Sequence, residues 1–342
     1  MPKVMLARNA MATRFELVLY GEQERSLKAA GEEALNEIER IEARISPFKP
    51  DSEISIINQN AYSHPIRASV EVYQLLKTAK QIWQDSNGAF DITIGQLMRL
   101  WGFRDNSDFQ PEPDVIEKTR QDCGMNFLLL DDSNHTVKFL KNAVKIDLGA
   151  IGKGYAIEQA MEILKEEGIK SALLHGGTST VAAIGKPPDL NEWNISIEIP
   201  PVVLSDFKGA VATATLKESS LSISGIWGRA KKLGDKILGH IIDPRTGMPS
   251  DRIIMAVVVS KSAIFSDALS TALLVAGEEI CHKLTRIYPD AKYLFVKTNK
   301  NGKSKPELHF HGIKPLDECK KFFDLKEYNF TEQSQVDYGK GQ

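Results

Sequence analysis

Apolar residues recur along this chain with two different periods. Over residues 12–21, Phe15, Leu17 and Leu19 are separated by Arg14, Glu16 and Val18, which predicts a strand ended by Gly21. Over residues 22–45 the spacing opens to three and four. Leu27, Ala30, Ala34, Leu35, Ile38, Ile41 and Ile45 fall on one stripe, predicting an amphipathic helix with that stripe in the core. Residues 47–58 read as a loop. Ser69 is placed to cap a second helix that runs to about Ser86, with Val72, Tyr73, Leu76, Ala79 and Trp83 inward. Asn87-Gly88 signals a turn, and 92–101 reads as a short helix or a mixed segment. Residues 105–113 read as a polar surface loop, followed by a hairpin of 127–130 with 136–140.

In the second half the two-residue period dominates. Strands are expected at 144–148, 171–174 continued by 180–184, 194–199, 210–216, 219–225, 237–242 and 292–297, the last taken as the final core strand. Gly234-Asp235 is read as a turn, and 185–193 and 243–249 as loops. Residues 253–260 are apolar throughout, so that strand should be central. Helices are expected at 156–167 with Gly168 as the stop, at 265–276 and at 278–288. The end from Tyr328 is polar and expected to fray. Strands and helices do not alternate strictly, which points to α+β rather than a doubly wound parallel sheet.

Composition narrows the picture. The chain has 342 residues, 43 Lys plus Arg against 45 Asp plus Glu, and a formal net charge of −2. Such a balance implies no bulk attraction to nucleic acid or membrane. Its three cysteines, Cys123, Cys281 and Cys319, lie far apart and form no metal-ligand spacing, so buried free thiols are expected. No stretch suffices to span a bilayer. Residues 1–12 lack the apolar core of a signal peptide and a lipobox cysteine, giving a cytoplasmic expectation for the sequence as it stands; a cleaved, exported form or a trimmed chain would look the same.

Chemistry is concentrated in a few stretches. Lys145-Ile-Asp-Leu-Gly-Ala-Ile-Gly-Lys-Gly-Tyr-Ala156 places three glycines and Lys153 where an apolar run hands over to a helix. Unpaired N–H groups at a helix start suit phosphate or carboxylate. The order of glycines matches neither G-x-G-x-x-G nor the P-loop, and glycines chosen for tight packing explain the turn equally well. Asp267 and Thr271 stand at i and i+4 on an otherwise apolar helix, so both oxygens face one way. They could join a backbone carbonyl around Mg²⁺ or Ca²⁺; alternatively Ser266 or Asp267 caps the helix and Thr271 bonds back to a carbonyl. His240-Ile-Ile-Asp-Pro-Arg-Thr-Gly247 offers a base in His240 and an anion-binding fork in Arg245, or a satisfied histidine followed by a plain turn. His175-Gly176-Gly177 permits close backbone approach, to a ligand or within a bulge. Neither a G-x-S-x-G elbow nor H-E-x-x-H is present.

Taken in order, Met11-Ala-Thr13, Ser52-Glu-Ile-Ser55, Gly88-Ala-Phe-Asp91, Leu100-Trp-Gly-Phe103, Ile146 to Ala156, Ser224-Gly225, His240 to Gly247 and Ser266-Asp-Ala-Leu-Ser-Thr-Ala272 form a set. That set resembles the FAD:protein FMN transferase family, also called ApbE. The resemblance runs from Met11 to about Gly277. It implies a two-lobed, mixed-sheet, T-fold-like domain over 1–327, followed by a polar tail over 328–342. It further implies cleavage of FAD with Mg²⁺, transfer of FMN to a Thr or Ser hydroxyl of a target flavoprotein, and release of AMP. Asp267, Thr271 and the Ala150 carbonyl would hold the metal. Lys153 and the glycine turn, Gly152 included, would face the pyrophosphate. Met11, Phe48, Ala89, Phe90 and Asp91 would line the flavin or adenine pocket, with Gly176, Gly177 and Arg245 also on the nucleotide. His240 would be the base and Lys153 a second catalytic group. An FAD-binding or flavin-trafficking protein with weakened catalysis, and a Mg²⁺-dependent FAD pyrophosphatase, are the alternatives. The sequence departs from the family at Ala12 for the usual glycine, Phe48 for tyrosine, Thr178 for an acid after Gly-Gly, and Ile226-Trp227 for a polar pair.

Overall fold

The structure is a computed structural model that describes residues 1–103, 110–200, 204, 207–228, 230–233, 236–298 and 305–328. The expected turn at Gly234-Asp235, most of the 105–113 loop and the tail beyond Tyr328 lie outside the described residues.

A nine-stranded sheet carries the architecture. Its strands are Lys3–Ala10, Thr13–Tyr20, Ser171–Gly176, Thr180–Ile184, Ser219–Gly225, Ile253–Ser260, Lys292–Lys297, Glu307–His311 and Asp324–Glu327. They lie side by side in chain order, antiparallel except for the last pair. Each insertion between neighbouring strands therefore stacks on one face or the other. Ile253–Ser260 shows why both faces are apolar. Ala256 and Val258 join the core under the helices, while Met255, Val257 and Val259 join a second core on the opposite face. The helices Glu24–Ile45, Gly152–Glu166 and Ala263–Ala276 cover the first face. The hairpin of Trp193–Glu198 with Ala210–Leu216 covers the second. A smaller cluster of Leu97, Trp101, Phe103, Ile116, Cys123 and Ile242 joins the 95–121 helices to the 240s segment, where the Trp101 indole donates to the Gly247 carbonyl at 2.8 Å.

Several expectations are corrected. Residues 47–58 are not all loop: Glu53–Asn60 is a helix, capped by Ser52, whose Oγ accepts from the Ser55 N–H. Residues 144–148 are extended but join no sheet. Lys145 makes a single parallel bridge with Ile94, with the Gly95 N–H on the Lys145 carbonyl and the Asp147 N–H on the Ile92 carbonyl, and the Asn58 side chain bonds both the carbonyl and the N–H of Ile146. Thr180–Ile184 does not continue the preceding strand; it returns antiparallel after a tight turn. The 237–242 segment divides into Lys236–Leu238 and the short Ile242–Asp243 pairing. Lys292–Lys297 is followed by two further strands, and Tyr328 packs instead of fraying, with its N–H on the Phe310 carbonyl and its hydroxyl at 3.0 Å from His309 Nδ1. Helix Pro113–Gln121 and the edge strand Lys3–Ala10 were not foreseen.

Candidate active site

A cleft of about 420 Å³ opens at the point where the first hairpin, the glycine turn and the 240s loop meet. Its lining includes Met11, Phe48, Ala89, Phe90, Asp91, Ala150, Gly152, Lys153, His240, Asp267 and Thr271. Residues that the sequence separates by more than two hundred positions thus face one cavity. Gly176, Gly177 and Arg245 do not line it. Gly176 lies against the Phe15 ring, Gly177 takes φ 62° to turn the hairpin, and the next residue, Thr178, faces the cleft. The Arg245 guanidinium is held by both carboxylate oxygens of Asp243 at 2.9 Å and by Glu279 at 2.7 Å. Those partners raise its pKa further and satisfy the fork that was expected to meet the nucleotide.

The glycine turn is built for contact between helices. Helix Gly152–Glu166 starts without a side-chain cap from its own N-cap residue. A Cβ on Gly154 would stand 2.2 Å from the Ala263 carbonyl oxygen and 2.7 Å from Asp267 Cβ. The absent side chain lets the Gly154 N–H donate to Asp267 Oδ2 at 2.8 Å. So the carboxylate, not an external phosphate, sits against that N–H, at the positive end of the helix. Lys153, one residue earlier, reaches only the Gly149 carbonyl at 3.5 Å and pairs with no carboxylate among the described residues. Its ammonium is the cleft's available positive charge.

Asp267 is 5% exposed, and among the described residues no Lys or Arg pairs with it. Its second oxygen receives the Thr180 hydroxyl at 3.4 Å. Ser262, not Ser266 or Asp267, caps the Ala263–Ala276 helix, so the capping alternative for Asp267 does not hold. A buried carboxylate with only neutral donors around it is costly unless a cation joins it. Thr271 and Ala150 on the same cleft add a hydroxyl and a carbonyl. All are hard oxygen donors, the set that Mg²⁺ takes.

The cleft lining also carries aromatic and strained residues. Met11 and Ala12 form the two-residue turn of the first hairpin with φ 50° and 56°. That is the left-handed region, where glycine is normally used. Glu42 fixes the tip by accepting from the Met11 N–H at 2.7 Å, and Lys49 holds its other oxygen. Asp91 is buried and accepts from the N–H and hydroxyl of Thr93 and from the Met125 N–H. Burial nevertheless pushes its pKa up to about 6. Phe48 is 65% exposed at the mouth. Trp227 lies over Gly225, where any Cβ would meet its ring at 2.5 Å, and Gly228 leaves room beside the His240 ring. Glu42, Asp147, Thr178, Ser224 and Trp227 also line the cleft; Thr178 and Trp227 are two of the departures from the family pattern, and none of the five is among the expected site residues. Ser224 and Asp147 stand in quoted motifs; the place of Glu42 at the cleft becomes visible once the chain is folded.

Residues 11–295 match the family model described as ApbE family. The chain belongs to the ApbE family. It is 28% identical over 284 residues to the FAD:protein FMN transferase of Haemophilus influenzae, covering 80% of this chain and 81% of the relative. With the enzyme of that name from Treponema pallidum it shares 27% over 285 residues, 80% and 78% of the two chains. The crystal structure of the ApbE protein of Thermotoga maritima superposes with a TM-score of 0.79 at 27% identity, covering 94% of this chain and all of that one. The fold is thus α+β, as expected. Among the described residues no helix is long and apolar enough to cross a membrane.

Proposed function

We propose that this ApbE-family chain is a flavin transferase that cleaves FAD and joins FMN through a phosphoester to a Thr or Ser hydroxyl of a target protein. The observation that carries the reading is the convergence of His240, Lys153 and the Asp267–Thr271 pair, from three separate elements, on one cleft. Its volume is in the range of small-molecule sites. The exposed Phe48 ring at its mouth offers a face to a planar heterocycle.

In the reaction the acceptor hydroxyl oxygen forms a bond to the flavin-side phosphorus. The bond from that phosphorus to the bridging oxygen breaks, and AMP leaves with that oxygen. His240 takes the hydroxyl proton as the new bond forms. The Lys153 ammonium offsets charge on the diphosphate, and the wall from Met11 to Asp91 orients the flavin half. Phosphoryl transfer depends mainly on such alignment and charge compensation. Asp267, Thr271 and the Ala150 carbonyl are the residues that would hold Mg²⁺. When bound, the ion neutralises phosphate charge as a Lewis acid. Residues 1–327 are proposed to act as one unit.

The test is mass spectrometry of a flavoprotein fragment carrying an acceptor threonine, incubated with the chain, FAD and Mg²⁺. An added FMN mass with stoichiometric AMP supports transfer. Free FMN and AMP across several acceptor sequences would make it a pyrophosphatase, and bound, intact FAD would make it a binding protein.

A further inference from the structure

The mechanism leaves one feature of the cleft wall unexplained. Strand Ser219–Gly225 presents Ser220, Ser222 and Ser224 at every second position, all buried, toward Ser266 and Ser270 of helix Ala263–Ala276. Ser220 lies 3.0 Å and Ser222 2.9 Å from Ser266, and Ser224 lies 2.8 Å from Ser270. The register is geometric. Two strand residues rise about 6.6–6.8 Å and four helical residues about 6 Å, so alternate serines on the strand meet serines one turn apart on the helix. Each helical serine immediately precedes a cleft residue: Ser266 precedes Asp267, and Ser270 precedes Thr271.

The hydroxyls also have a direction. Ser222 donates to Thr180 Oγ1 at 3.2 Å, so the Thr180 proton is left to point at Asp267 Oδ1. Thr180 is 2% exposed, and its strand, Thr180–Ile184, is otherwise apolar. Ser224 also reaches the Thr271 hydroxyl at 3.1 Å. Alanine and valine would fill this interface just as well. Buried hydroxyls are tolerated only when all are paired, since one left over costs about 1–3 kcal/mol. A ladder that closes in this way admits one helix rotation and one height.

We propose that the ladder is a positioning device for the Asp267–Thr271 pair, with Thr180 and Ser222 as its positioning residues. It locks helix Ala263–Ala276 against the strand and aims the Asp267 carboxylate by a donor at each oxygen, Gly154 N–H on one and Thr180 O–H on the other. This inference rests on the cation site proposed above.

The experiment is Mn²⁺ binding to the full chain, followed by electron paramagnetic resonance without FAD, for wild type, Thr180→Val, Thr180→Ser, Ser222→Ala and Asp267→Ala. Urea denaturation is measured on the same samples, and KM for Mg²⁺ is separated from kcat. Thr180→Val keeps the shape and removes the donor, and should weaken Mn²⁺ by about 10–100-fold, the usual effect of losing a group that orients a metal ligand. Thr180→Ser should restore binding. Unchanged Mn²⁺ affinity in Thr180→Val, with binding abolished in Asp267→Ala, overturns the positioning role and leaves the cation site standing. A loss of stability at unchanged affinity overturns it too. No Mn²⁺ binding in wild type overturns the cation site and this inference with it. Should Thr180→Val fail to fold, Ser222→Ala reads out the same way: weaker Mn²⁺ supports the ladder, and unchanged Mn²⁺ refutes it.

Discussion

Gly154→Ala tests the joint between stability and chemistry. The new Cβ would fall 2.2 Å from the Ala263 carbonyl oxygen, a main-chain atom of the facing helix that no rotamer change can move. Restoring ordinary contact at about 3.5 Å requires the two helices to part by roughly 1 Å. Overpacking of that kind costs about 1–3 kcal/mol. Parting the helices also stretches the 2.8 Å bond from the Gly154 N–H to Asp267. A hydrogen bond to a charged group is worth about 1.5–3 kcal/mol. Alanine returns about 1 kcal/mol of helix propensity. The net expectation is a loss of about 2–4 kcal/mol by urea denaturation, with FMN transfer lost in step because the Asp267 carboxylate moves. Gly152→Ala is the internal control. Its Cβ would press on the Ile45 Cδ1 methyl at 3.1 Å, a side-chain tip that can swing aside, and would sit in ordinary contact with Leu148 Cβ at 3.9 Å. That variant should stay within about 1 kcal/mol of wild type. If Gly154→Ala were as stable and as active as Gly152→Ala, the close helix contact would not be holding the site, and the reasoning would fail.

Ala12→Gly should stabilise the fold by roughly 0.5–1 kcal/mol, because relief of a left-handed alanine, about 1–2 kcal/mol, exceeds the extra freedom of glycine in the unfolded chain; a thermal melt decides it. His240→Asn should slow single-turnover transfer by about 10²–10⁴-fold while FAD affinity in equilibrium dialysis changes little; the reverse pattern would make His240 a binding group. Asp91 has a pKa pushed up to about 6 by burial, so its contribution to stability is full below about pH 4 and is lost as the pH rises through 6. The swing is on the order of 3 kcal/mol, and Asp91→Asn should flatten it in denaturation curves taken between pH 4 and pH 8.

What could be read from the sequence follows physical rules. Strands buried on one or both faces announce themselves: Ala210–Leu216, Ser219–Gly225, Ile253–Ser260 and Lys292–Lys297 end where their apolar patterns end. Lys3–Ala10 did not, because an edge strand buries little; only Val4 and Ala10 are fully buried along it. Residues 144–148 carry the apolar pattern of a strand, yet their hydrogen bonds come from the 92–95 backbone and from the Asn58 side chain, partners some fifty and ninety positions away that no local window reaches. Helix Glu53–Asn60 is only about two turns long and falls within the stretch expected to be loop, although Ser52 is placed as its N-cap. At the site, helical spacing pairs Asp267 with Thr271 and the handover of periods points to Lys153, and all three line the cleft. Arg245 shows that the sequence gives a charge and not its partners; Asp243, two residues away, and Glu279, brought in by folding, engage each of its three guanidinium nitrogens.

Asp267 serves two purposes, and two substitutions separate them. Its carboxylate receives the Gly154 N–H, which stabilises the start of helix Gly152–Glu166, and it faces the cleft as the proposed cation ligand. Asp267→Asn keeps an acceptor oxygen in place but removes the charge. Asp267→Ala removes both and leaves the buried Gly154 N–H and Thr180 hydroxyl without their acceptor. An orphaned buried donor costs about 1–3 kcal/mol, so the alanine variant should be less stable than the asparagine variant by about that amount or more. Both should lose Mg²⁺-dependent transfer, since a neutral amide oxygen is a poor substitute for a carboxylate on a hard cation. Asparagine should even approach or exceed wild-type stability in metal-free buffer, because it ends the cost of burying an unpaired charge. Urea denaturation with and without Mg²⁺ reads this directly: wild type should gain stability from the ion and neither variant should. A wild-type chain indifferent to Mg²⁺, or an asparagine variant that still responds to it, would show that the charge at Asp267 is there for the helix alone.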